Sequence, residues 1–73
     1  MECGRCAELE LLYRNRTEEF ISHVERQSRM FRNGEAQAGR ELDETIIASR
    51  AAMHESLRVW AEHRESHFTA THG

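Results

Sequence analysis

Four residues stand out as candidates for chemistry: Cys3 and Cys6 in "ECGRC", and His63 and His67 in "HRESH". A C-x2-C pair at a helix start brings two thiols together, and the positive end of the helix favours their thiolates. An H-x3-H pair points two imidazoles off one helix face, a turn apart. Two thiolates and two imidazoles form a standard tetrahedral set for structural Zn2+. The full pattern is C-x2-C-x56-H-x3-H, whereas a zinc finger separates its halves by about 12–15 residues. The two halves can therefore meet only if the chain doubles back on itself. Cys6 also falls on an apolar helix stripe, where a thiol can serve simply as a small core residue.

The stretch Cys3-Gly4-Arg5-Cys6 resembles the thioredoxin-type active site, over those residues alone. That site sits in a βαβ setting, and no strand pattern occurs here, so the fold is not carried over. A redox or metal-handling role for the two thiols stays open as the alternative. Other constellations are missing. Di-iron bundles use E-x-x-H, but the residues three before each His are Phe20, Ala51, Trp60, Arg64 and Thr69. The zincin pattern H-E-x-x-H starts at His54-Glu55 and fails at Arg58. Gly34 and Gly39 are too isolated to make a phosphate loop. Met30 and Met53 read as core filler.

The elements that must position the four residues are helices. The chain has no Pro and only 4 Gly, so little interrupts helical runs. Cys6, Leu9, Tyr13, Phe20, Val24 and Phe31 recur at gaps suited to one helix face, widened by Leu12 and Ile21. Arg16 and Gln27 are polar interruptions of that stripe. A second stripe runs through Leu42, Ile46, Ser49, Met53, Leu57, Trp60 and Phe68. Beside it lies a row of small residues, Thr45, Ala48, Ser49, Ala52 and Ser56, spaced to admit a close helix neighbour. Between the two stripes, "RNGEAQAGR" is the breaker-rich stretch, with Gly34 suited to the left-handed position past a helix end.

These patterns predict an all-α antiparallel helical hairpin, a single domain over residues 1–73. Helix 1 is expected over about 4–32, the turn over about 33–39 and helix 2 over about 40–68. In such a hairpin, facing residues have numbers summing to about 70, which pairs Val24 with Ile46, Tyr13 with Leu57 and Leu9 with Trp60. The same register sets Cys6 beside His63 or Arg64, and Cys3 beside His67. A zinc clip there would clasp the open end, where two helices fray most. A lone hairpin gives Phe20, Phe31, Ile46, Ile47 and Trp60 too little shelter. Two hairpins are therefore expected to dimerise into a four-helix bundle.

Composition bounds the rest. A chain of 73 residues is below the comfortable size for a single core. At 38% hydrophobic and 32% charged, it is too apolar for disorder. The net charge is −3, with interleaved signs. Pairs such as Glu10/Arg14 and Glu25/Arg29 read as solvated flanks. Arg26, Arg29 and Arg32 form a short basic patch without a stacking platform, so nucleic acid is not an expected partner. No signal-peptide pattern and no membrane-spanning run is visible, which points to the cytoplasm. The resulting expectation is a small non-enzymatic hairpin that acts through self-association or contact with another protein, clasped by structural zinc.

Overall fold

The computed structural model describes the backbone of residues 3–72 and the side chains of residues 3–67. Helix α1 spans Gly4–Arg32 and stops where the sequence supplies Asn33-Gly34. Gly34 adopts φ 80°, a conformation that costs a glycine little. The N–H of Glu35 bonds the carbonyl of Met30 at 2.8 Å, and the N–H of Gly34 bonds that of Phe31 at 3.2 Å. These two bonds make a Schellman ending, which satisfies carbonyls that a helix end otherwise leaves open.

The chain then re-enters helix at once. A short helix α2 spans Ala36–Glu41, and α3 spans Asp43–His72. The stretch read as turn up to residue 39 thus carries a helix of its own, and the turn proper is Asn33–Glu35. Helices α2 and α3 are separated by a single kinked residue, Leu42, whose N–H bonds the Gly39 carbonyl at 3.2 Å. Gln27 fixes that kink from α1. Its Nε2 donates to the Gly39 carbonyl at 2.8 Å and to Asp43 Oδ1 at 2.5 Å. A residue that interrupts the apolar stripe is therefore the polar tie between α1 and the start of α3.

Among the described residues every element is helical, and α1 and α3 run antiparallel as a hairpin 57 Å long and 17 Å across. The seam is thin. Leu9, at 3% exposure, is the one buried large apolar side chain described. Ser56 is buried too, with its hydroxyl donating to the Ala52 carbonyl at 2.9 Å. Ser49 and Ala52 are half-buried, while Thr45 and Ala48 of the same small-residue row face solvent. Tyr13 packs on Trp60, with ring centroids 5.9 Å apart, and the Arg64 guanidinium covers Trp60 at 5.3 Å. The rings meet one turn away from the Tyr13–Leu57 and Leu9–Trp60 pairings expected from spacing, and Leu57 is left exposed. Phe68, assigned to the apolar stripe, lies outside the residues whose side chains are described.

The surface carries short-range ion pairs, including Glu10 with Arg14 at 3.2 Å and Arg58 bracketed by Glu55 and Glu62. Each is exposed, so solvent and salt screen it and it adds little to stability. The Glu25/Arg29 pair expected from spacing is not among the described ion pairs. No described helix is long and apolar enough to cross a membrane.

Gly39 marks the tightest approach at the bend. A Cβ there would stand 2.6 Å from Cε1 of Phe31. Gly39→Leu is expected to push the Phe31 ring aside and cost about 1–3 kcal/mol. Thermal melting followed by circular dichroism checks this, and an unchanged melting temperature would show that the ring yields freely.

Candidate metal centre

The open end of the hairpin is where α1 begins and the second half of α3 passes it. Cys3 precedes α1 with an extended backbone, φ −105° and ψ 118°, and Cys6 lies in the first turn. The two sulfurs therefore project from the positive end of the helix dipole. Across the seam, His63 and His67 are one turn apart on α3, which puts both rings on the side facing α1. The Tyr13–Trp60 stack one turn further in fixes the height at which the two helices meet.

This arrangement brings together all four residues picked out by spacing. One donor atom from each of Cys3, Cys6, His63 and His67 falls within 4.8 Å of every other. Cys3 Sγ is 3.3 Å from His63 Nε2, and the Nε2 atoms of His63 and His67 are 2.9 Å apart. The two imidazoles meet edge-on, with centroids 4.5 Å apart and planes at 83°. The cysteines are thiols, not a disulfide. Cys3 faces His63, a turn from the Cys3–His67 pairing expected. The cluster tolerates that offset because each pair spans about one helical turn.

The donor set passes the elementary test for zinc. Zn–S bonds near 2.3 Å and Zn–N bonds near 2.0–2.1 Å in a tetrahedron place the ligand atoms roughly 3.3–3.8 Å from one another. The observed separations, from 2.9 Å to at most 4.8 Å, bracket that range, so the donor atoms need shift relative to one another by no more than about 1.5 Å. Three of the four residues are half-buried and His67 is exposed, which leaves an approach from solvent.

The thiols are electrostatically unequal. The pKa of Cys3 is lowered to about 6, chiefly by the His63 ring and then by the backbone amide of Cys6. No side-chain capping bond closes at this terminus, so that amide acts as a dipole aimed at the sulfur. Cys6 moves the opposite way. Burial raises its pKa, the neighbouring Cys3 adds to this, and Arg64 partly offsets the rise. Cys3 is therefore the more readily ionised of the two thiols, and a cation held at the cluster would favour the thiolate form of both.

Spacing alone did not single out Arg64 or Gln27. Arg64 sits between the two histidines, and the hairpin register makes it only one of two candidate neighbours of Cys6. It stacks over Trp60 and supplies positive charge beside Cys6. Its signal was an Arg one turn after a Trp, the spacing of a cation–π pair on a helix. Gln27 had no comparable signal, because its partners on α2 and α3 are set by the bend. No protein-family model, curated protein or solved structure matches the chain.

Proposed function

We propose that the chain is a small, non-enzymatic scaffold of the cytoplasm, whose helical hairpin is clasped by one structural Zn2+ on Cys3, Cys6, His63 and His67. It acts through self-association and contact with other proteins. The observation that carries the metal half is the convergence of four donors, from opposite ends of the sequence, within 4.8 Å. A staple suits a fold whose seam, among the described residues, buries one large apolar side chain, since a core this small supplies little stability. The thin seam also supports association, because exposed Ile, Val, Leu and Phe side chains on both long helices have a use in a larger bundle.

Metal analysis of tag-free protein tests the clasp. One zinc per chain is expected. Cys6→Ser and His63→Ala should each weaken zinc binding by at least 100-fold, while His54→Ala, on an exposed face away from the cluster, should leave it unchanged. Metal-free protein after purification with zinc supplied would overturn the clasp.

One observation favours a second reading. The 3.3 Å approach of Cys3 Sγ to a His ring is a thiol–imidazole pair, the arrangement that activates a thiol for redox or metal-transfer chemistry. Alkylation separates the two. A clasp gives thiols that react slowly and speed up on chelation, whereas a working thiol reacts fast in either condition.

A further inference from the structure

We infer that one flank of the hairpin, the stripe of Ile21, Val24 and Phe31 on α1 with Met53 and Leu57 on α3, is the docking face for a second copy of this chain. The inference rests on the self-association half of the reading above and names its surface. On α1, positions 17, 21, 24, 28 and 31 alternate gaps of four and three residues, the spacing of a seam built to meet another helix. On α3, positions 50, 53, 57 and 60 do the same. The two stripes share a flank, because Thr17 from the first and Trp60 from the second line one open groove of about 240 Å3.

The stripe is not consumed by the hairpin. Ile21 is 47% exposed and Phe31 46%, and Val24 and Leu57 are exposed as well. Isolated apolar side chains on a surface need no explanation, but an aligned row of them along one flank does. A face 57 Å long and 17 Å across offers roughly 900 Å2 from each partner, about what a stable interface of standard size requires.

The charges at the edge favour a copy of the same chain over an unrelated partner. Glu18 borders the groove on the α1 side, and Glu25 borders Val24 and Ser28. Arg50 lies on the α3 stripe. Among the described ion pairs, none involves Glu18, Glu25 or Arg50. Gln27 bonds Asp43 across the seam. Counting outward from that bond in opposite chain directions brings Glu18 and Arg50 to within about 3 Å of the same height. A two-fold axis along the hairpin lays α1 of one copy over α3 of the other, so each Glu18 meets an Arg50. An isologous interface needs that self-complementarity.

The test uses the full, zinc-loaded chain in analytical ultracentrifugation. The wild type is expected to sediment at twice its 8.5 kDa mass. Ile21→Glu should raise the dimer dissociation constant at least 100-fold, while Leu12→Glu, on the opposite face of α1 at 40% exposure, leaves it unchanged. Should Ile21→Glu lose helix content, isotope-filtered NOEs on the wild-type dimer decide. Contacts between copies among Ile21, Val24, Met53 and Leu57 methyls are expected. A dimer with contacts elsewhere, or one indifferent to a helical Ile21→Glu, overturns the face and leaves self-association standing. A wild-type monomer at 200 μM overturns both, and zinc content reports on the clasp separately.

Discussion

Removing zinc with EDTA is expected to lower the melting temperature by roughly 15–30 °C. A ligand that binds only the folded chain stabilises it by about 4 kcal/mol when free at a thousand times its dissociation constant. For a domain of 60–100 residues, each kcal/mol moves the midpoint by about 4–8 °C. The proposed clasp would join residues at opposite ends of the sequence, so an unfolded chain offers zinc only isolated halves: the Cys pair in one place and the His pair in another. Discrimination between folded and unfolded forms is therefore large. Melts of the zinc-loaded and chelated protein at one chain concentration check this, and coincident curves would count against a structural role. A fixed concentration matters because the proposed dimerisation would also move the midpoint.

Leu9→Ala is the second large effect. Truncating a buried Leu to Ala costs about 2–5 kcal/mol, through lost burial and the cavity left behind. A chain of this length has a total stability of about 4–11 kcal/mol, so the loss takes about a fifth of it at the least and most of it at the other end of the range. Leu9 is the one large apolar side chain described as buried, and it stands a turn and a half inside the cluster from Cys3. The exposed neighbour Leu11 provides the comparison, since Leu11→Ala should change stability by under about 0.5 kcal/mol. Urea unfolding of both variants without zinc gives the two numbers. Similar costs for Leu9 and Leu11 would mean that the seam is not where the chain holds together.

The helices were legible because each follows from local chemistry: long breaker-free runs, apolar spacing on one face, and Asn33-Gly34 where α1 stops. The bend was less legible. Ala36, Gln37 and Ala38 are good helix formers, but Gly39 nearby read as a second soft point. Its role is close approach to Phe31, which no local pattern reveals. The four donors were visible as two motifs with finger-like internal spacing, and only the hairpin turned their long separation into contact. Which Cys faces which His was not visible. Side-chain reach of a few ångströms and a turn's offset in register decide that, and spacing fixes register only to about a turn. Gln27 illustrates the same point, since a polar residue on an apolar stripe has a meaning only once its partners across the bend are known.

The central claim is that Cys3, Cys6, His63 and His67 share one zinc ion. X-ray absorption at the zinc edge, on tag-free protein carrying one equivalent of zinc, addresses it most directly. The account predicts two sulfur scatterers near 2.3 Å and two imidazole nitrogens near 2.0–2.1 Å. A shell of oxygen and nitrogen without sulfur, or one unchanged in the Cys3→Ser/Cys6→Ser variant, would contradict it.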